Sequence, residues 1–160
     1  MPGSRLASHD SAIELTQLLA LNIPYRGNTT LAALAAVNSF TTADSRIDDG
    51  NFPQIFSTPE SVSVSVCDVV QDNVDTAMLK ILLRERHYRL ANVAELLVLG
   101  SRHPNFLRGR DAISAAQYLE TGTGLHLYPL IRPSRSGQAA LLQQFDGRWS
   151  RGSHIVVARL

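Results

Sequence analysis

The chain has 160 residues, of which 44% are hydrophobic and 18% are charged, and its formal net charge is +1. This length can bury one hydrophobic core, and this composition excludes a disordered or fibrous chain. The longest apolar stretch, residues 31–37, is far shorter than the roughly 20 residues with which a helix crosses a bilayer, and the N-terminal residues lack the uninterrupted apolar region of a signal peptide. The sequence therefore predicts one cytoplasmic domain over residues 1–160, with no membrane segment.

Helical spacing characterises the N-terminal part of the chain. Ser11 and Glu14 form a capping-box pattern, and the leucines that follow repeat at helical intervals, which predicts an amphipathic helix that ends before Pro24. A second, short helix is predicted from Leu31 to Val37. Residues 39–59 are rich in Thr, Ser, Asp and Pro and predict a long surface connection. Its predicted anchors are Phe52, Ile55 and Phe56.

A strict alternation of serine and valine begins at Ser61 and predicts a half-buried strand to Val70, with Val62, Val64 and Val66 facing inward. The only cysteine, Cys67, lies in this strand, so no internal disulfide can form. We expect this thiol to be a small buried side chain rather than a nucleophile.

Two helices are predicted in the centre of the chain. The first is capped by Asp72 and Asn73 and ends near His87. The second begins with a capping box formed by Asn92 and Glu95, and Gly100 is interpreted as its left-handed stop, which limits it to about two turns.

The C-terminal part predicts strands, at residues 112–119, 125–131, 139–145 and 154–160, with Asp146-Gly147 as a hairpin signal. Together these elements predict an α+β fold in which about four helices pack on one face of a mostly antiparallel sheet of about five strands. No repeat or second domain is indicated.

Charge divides the chain into an acidic helical front, residues 1–79, and an arginine-rich back, residues 80–160. The front has three arginines against nine acidic residues, a balance of −6, whereas the back has twelve basic residues against five acidic ones, a balance of +7. Lys80 is the only lysine. Because guanidinium groups pair bidentately with carboxylates and phosphates, this asymmetry favours an acidic protein partner or nucleic acid.

We therefore predict a non-catalytic binding or regulatory module that meets an acidic partner through arginine-rich segments. The candidate binding residues are Arg84, Arg86, Arg89, Arg102, Arg108, Arg110, Arg132 and Arg135. Two simpler interpretations remain: arginine in place of lysine reflects a GC-rich genome, or the acidic front neutralises the basic back within one fold. A helix-turn-helix formed by the two central helices is disfavoured, because residues 85–91 between them exceed the usual short turn.

The alternative function is a small enzyme whose site is assembled from dispersed residues, with His87, His103, Glu95 and Asp111 as candidates. Glu95 is also explained as the reciprocal partner in the capping box. The five histidines share no metal-ligand spacing with one another or with Cys67, and neither a phosphate-binding glycine loop nor a nucleophile elbow is present. The sequence predicts no metal and no cofactor.

Overall fold

The computed structural model of the chain describes residues 12–23, 29–37, 39–53 and 61–160. Within these residues there are three α-helices and one ten-stranded sheet, so the prediction of about four helices on about five strands is wrong. The helices are α1 (Leu31–Ala35), α2 (Thr76–Glu85) and α3 (Val93–Arg102), followed by a 3-10 turn (Pro104–Leu107). The strands are β1 (Ile13–Leu15), β2 (Leu19–Asn22), β3 (Phe40–Ala43), β4 (Ser61–Val69), β5 (Val74–Asp75), β6 (Tyr88–Leu90), β7 (Ala112–Ile113), β8 (Leu119–Glu120), β9 (His126–Ser134), β10 (Gly137–Gln144), β11 (Arg148–Trp149) and β12 (His154–Arg159).

The main sheet is mixed. Its order is β1-β4-β12-β7-β9-β10-β3, while β2 also pairs with β4, β6 with β12, and β8 with β9. The pairs β7–β12 and β3–β10 are parallel, and the other pairs of this sheet are antiparallel. Strands β5 and β11 form a separate two-stranded ladder.

The predicted N-terminal helix is replaced by two strands. β1 and β2 both pair antiparallel with β4, with Ile13 opposite Val69 and Leu21 opposite Val62. This pairing satisfies the backbone groups along one edge of β4, which outweighs the local helical pattern. Ser11 itself lies outside the described residues.

The segment after α1 is only partly a surface connection. It contains β3, which pairs with β10, and Phe52 is fully buried. The predicted anchors Ile55 and Phe56 lie outside the described residues. The predictions of a helix beginning at Leu31 and of a strand beginning at Ser61 are confirmed.

The two central helices are confirmed with different boundaries. α2 is capped by Asp75, whose side chain accepts from the Met78 amide, because Val74 and Asp75 first pair with β11. α3 has the predicted capping box of Asn92 and Glu95, but it continues through Gly100 to Arg102. A Cβ atom on Gly100 would lie 2.2 Å from Ile131 Cδ1. The glycine therefore permits close packing of helix on sheet rather than ending the helix.

The sheet is covered by helices on both faces. Val64, Val66, Val156 and Ala158 belong to the core that contains α1 and α3. Their strand neighbours Cys67, Val69, Ile155 and Val157 belong to a second core that contains α2 and Trp149. Because successive strand residues point to opposite faces, α1 and α3 lie on one face and α2 on the other, which corrects the prediction of helices on a single face.

The C-terminal strands are largely as predicted, but their connections differ. β9 and β10 form a hairpin that turns at residues 134–137, whereas the strand after Asp146-Gly147 pairs with β5 instead of β10. In the described part of the chain, no helix is both long enough and apolar enough to cross a membrane.

Candidate functional site

A groove lies between helix α2 and the edge of the sheet at β6, and its volume is about 420 Å³. We call it the α2–β6 groove. Its lining residues are Lys80, Ile81, Arg84, Tyr88, Arg89, Leu90, Ala116 and Leu160. Three of the eight are basic and none is acidic. The volume lies within the usual range of ligand sites, roughly 300–1,000 Å³.

Helix α2 supplies one wall of this groove. Leu79, Leu82 and Leu83 are buried against the sheet, which turns Lys80, Ile81 and Arg84 outward. Lys80 and Arg84 are four residues apart, so they are neighbours on one face of the helix. In the described residues, neither side chain forms a hydrogen bond or an ion pair. The wall therefore carries two adjacent charges that have no counter-ion among the described residues.

Apolar surface accompanies these charges. Ile81 is 60% exposed and Leu160 is 65% exposed, although both are large hydrophobic side chains. Tyr88, which also lines the groove, is largely buried. The groove thus combines a cationic wall with apolar surface that a ligand would remove from water.

The third basic residue of the groove is already neutralised. Arg89 donates two hydrogen bonds to the fully buried Glu95, at 2.7 Å to Oε1 and 2.6 Å to Oε2. The hydrogen bonds from this guanidinium to the carboxylate raise the pKa of Arg89. Glu95 also accepts from the Asn92 amide at 2.9 Å. Arg89 therefore links β6 to the start of α3 and contributes its stem, rather than a free charge, to the groove.

The other predicted arginines are distributed over several elements. Arg110 contacts Asp68 at 3.0 Å, and Arg132 contacts Asp111 at 2.8 Å. Arg102 donates to the Asn22 carbonyl at 2.9 Å. Of the eight candidates, only Arg84 and Arg89 line the α2–β6 groove.

The remaining three predicted arginines lie at the ends of elements. Arg86 is the C-terminal cap of α2, and Arg108 is the C-terminal cap of the 3-10 turn. Arg135 lies exposed between β9 and β10. None of the three lines the α2–β6 groove, so the groove selects Arg84 and Lys80 as its unpaired cations.

The four residues of the alternative enzymatic site remain apart. Glu95 is engaged by Arg89, and Asp111 by Arg132. His87 follows α2 with a φ of 67°, and His103 is the C-terminal cap of α3. None of the four lines the α2–β6 groove or either of the other two cavities described below.

The sequence interpretation missed an ionic cluster around the buried His154 on the α3 face of the sheet. His154, which is 1% exposed, donates from Nδ1 to Asp68 Oδ1 at 2.6 Å, and Arg110 donates to the same oxygen. Burial lowers the pKa of His154, an effect that Asp68 opposes and that Arg110 and Arg108 reinforce. The alternation of β4 could have indicated this cluster, because it places Asp68 on the same inward-facing side of the strand as Val62, Val64 and Val66.

This cluster offers no accessible nucleophile. Cys67 is fully buried beside Asp68, and burial raises the pKa of its thiol to about 12. The thiolate that would act as a nucleophile is therefore absent near neutral pH. Among the described residues, no group of three or more His, Cys, Asp and Glu side chains could hold a metal ion.

Two further cavities have less favourable chemistry for a ligand. One, of about 550 Å³, lies between the 3-10 turn and the β9–β10 hairpin, where Arg110 is engaged by Asp68 and by the Gly152 carbonyl. The other, of about 640 Å³, is lined by Asp72 and Asp146. Both carboxylates accept backbone amides of nearby turns. Of the three cavities, the α2–β6 groove is the one in which two adjacent cations lie beside large exposed hydrophobic side chains, those of Ile81 and Leu160.

No protein-family model, no curated protein and no solved structure matches this chain.

Proposed function

We propose that the protein is a non-catalytic binding module that recognises an acidic segment of a partner protein in the α2–β6 groove. The observation that carries this proposal is a pair of cations, Lys80 and Arg84, that have no partner within the described residues and lie beside a groove with no acidic residue in its described lining. Carboxylates of a partner are the complement of such a wall, and they would also relieve the repulsion between the two like charges.

The apolar part of the groove favours a protein segment over nucleic acid. Ile81 and Leu160 offer aliphatic surface, which apolar side chains of a peptide can cover. Single-stranded nucleic acid binds by stacking its bases on exposed aromatic rings, whereas Tyr88, the aromatic residue among the described lining residues of this groove, is largely buried. A segment that combines acidic and aliphatic residues fits both features.

The test uses a fluorescein-labelled peptide in which glutamate and valine alternate, with fluorescence anisotropy as the readout. Arg84→Glu reverses the charge of the groove wall, and we expect it to weaken binding by about tenfold or more. Arg135→Glu is the matched control: it changes the net charge equally but lies outside the groove, so the affinity should change by less than about twofold.

Two further probes distinguish the partner class. A peptide in which lysine and valine alternate should not bind. Equal losses of peptide affinity in Arg84→Glu and Arg135→Glu would overturn the groove as the site. A single-stranded oligonucleotide that binds more tightly than the acidic peptide, and that loses its affinity in Arg84→Glu, would replace the proposed protein partner with nucleic acid.

A further inference from the structure

Strand β6 is paired along one of its two edges in the described part of the chain. Its partner there is β12, with Leu90 opposite Val157, Arg89 opposite Ala158 and Tyr88 opposite Arg159. The opposite edge of β6 faces the α2–β6 groove, because Tyr88, Arg89 and Leu90 line it. A paired strand therefore forms part of the groove, and its second edge has no strand partner in the described part of the chain.

The hydrogen bonds at the two ends of the β6–β12 ladder show which backbone groups of β6 point away from β12. Leu160 donates to the His87 carbonyl, and Ala91 donates to the Val156 carbonyl. In an antiparallel ladder, alternate residues exchange hydrogen bonds with the partner strand and the residues between them point away. Residues 87, 89 and 91 therefore face β12, and the amides of Tyr88 and Leu90 point away from it.

Three of the four outward backbone groups have no hydrogen-bond partner among the residues that the structure describes. The Leu90 carbonyl accepts from Arg89 at 3.2 Å. The amides of Tyr88 and Leu90 and the carbonyl of Tyr88 make no hydrogen bond within the described residues. The two amides are two residues apart, or roughly 6.6 Å along the strand, which equals the spacing of alternate carbonyls on an incoming strand.

The length of this open edge is limited by the neighbouring strand. β7 continues along the same side of β12, with Ile113 opposite Ile155. The Ser114 hydroxyl donates to the Ala91 carbonyl at 2.8 Å. The chain therefore closes the edge just beyond β6, and a ligand strand has about three residues of β6 with which to pair.

We infer that the acidic segment binds in an extended conformation and adds a strand to the open edge of β6. This inference rests on the proposed function and names its mode of recognition. Tyr88 and Leu90 belong to the core on the α2 side of the sheet. Alternate side chains of the added strand would therefore face α2, where acidic residues meet Lys80 and Arg84. Main-chain hydrogen bonds supply affinity and the alternate side chains supply specificity.

The first test is amide hydrogen exchange, resolved by residue with NMR, on the full chain with and without the glutamate–valine peptide. Saturating peptide should slow exchange at Tyr88 and Leu90 by about tenfold or more, because both amides become donors to the added strand. Arg89 is the internal control, since its amide already faces β12 and should exchange at an unchanged rate.

The second test alters the peptide backbone and leaves the protein unchanged. An N-methyl group on a residue whose amide pairs with β6 should weaken binding by about tenfold or more, whereas N-methylation of an adjacent residue should change affinity by less than about threefold. An N-methyl scan along the peptide should therefore alternate between strong and weak effects.

The outcomes separate this inference from the proposed function. Binding that depends on Arg84 but leaves the Tyr88 and Leu90 amides unprotected would overturn strand addition and retain the acidic ligand. An N-methyl scan in which the loss of affinity does not alternate along the peptide would likewise overturn strand addition and retain the acidic ligand. Absence of any binding by the glutamate–valine peptide would overturn both.

Discussion

The two faces of the sheet use their charged residues differently. On the α3 face, partly exposed charges are paired with buried groups or with one another: Arg89 with the buried Glu95, and Asp68 with Arg110 and the buried His154. On the α2 face, Lys80 and Arg84 are exposed and have no acidic partner among the described residues. Helices α2 and α3 each have ten residues, but eight residues of α3 are buried and only three of α2.

This difference separates structural charges from charges that are available to a ligand. A buried carboxylate must keep its partner, because losing the partner leaves an uncompensated charge in the interior. An exposed ammonium or guanidinium group is solvated and exchanges its water for a partner at little structural cost. Changes on the α3 face should therefore alter stability, and changes on the α2 face should alter binding.

The largest expected effect is the loss of Glu95. Glu95→Ala removes the bidentate partner of Arg89 and one half of the α3 capping box. We expect the free energy of unfolding to fall by about 3–5 kcal/mol, because a guanidinium group is left partly buried and unpaired. Urea denaturation followed by circular dichroism measures this change.

Two control variants test the same comparison. Glu95→Gln keeps an oxygen that can accept from the Asn92 amide and should lose less stability than Glu95→Ala. Glu85→Ala removes an exposed carboxylate from α2 and should change stability by no more than about 0.5 kcal/mol. Equal effects of Glu95→Ala and Glu85→Ala would show that carboxylates on the two faces contribute equally to stability.

The next effect is a loss of stability in acid that arises from His154. Because burial lowers the pKa of this ring, the unfolded chain binds its proton more readily than the folded protein does. The contribution of the neutral His154 ring to the free energy of unfolding is fully present above about pH 6.5, the ordinary histidine pKa. It is lost as the pH falls toward the lowered folded-state pKa. The slope reaches at most about 1.4 kcal/mol per pH unit for one proton.

The measurement compares urea denaturation of the native chain and of His154→Gln between about pH 7.5 and pH 5. The substitution removes the titrating ring from its position beside Asp68, Arg110 and Arg108. The variant should be less stable at neutral pH, and its stability should decline less on acidification. Parallel pH profiles would contradict a role for His154.

The sequence predicted those elements whose signals are local. The alternation of β4 and the capping box of α3 each occupy a short stretch, and both are confirmed. The helical pattern after Ser11 was also local but misleading, because β1 and β2 gain their stability from pairing with residues about 40–60 positions away. Tertiary pairing of this kind outweighs intrinsic propensity.

Gly100 and the candidate groove also depend on contacts between distant parts of the chain, which local sequence patterns do not reveal. Gly100 resembled a helix stop, yet its function is to admit Ile131, which lies in another element. The groove joins α2 to β6, Ala116 and Leu160. Charge counting pointed to residues 80–160 but gave no means to separate the paired Arg89 from Arg84, because that distinction depends on which carboxylates the fold brings near.

The smallest expected stability effect has the opposite sign and tests the α2 face directly. Lys80→Glu replaces a repulsive pair with a favourable one, since a glutamate four residues before Arg84 stabilises a helix. We expect the free energy of unfolding to rise by about 0.5 kcal/mol while affinity for the glutamate–valine peptide falls about tenfold or more.

Lys80→Gln is the matched control, because it removes the repulsion without adding a carboxylate and should lie between the native chain and Lys80→Glu in both measurements. A residue that lowers stability and raises affinity is typical of a binding site. If Lys80→Glu were more stable and bound the peptide as tightly as the native chain, the unpaired charges of α2 would be an ordinary solvated surface, and the contrast between the two faces would be one of burial alone.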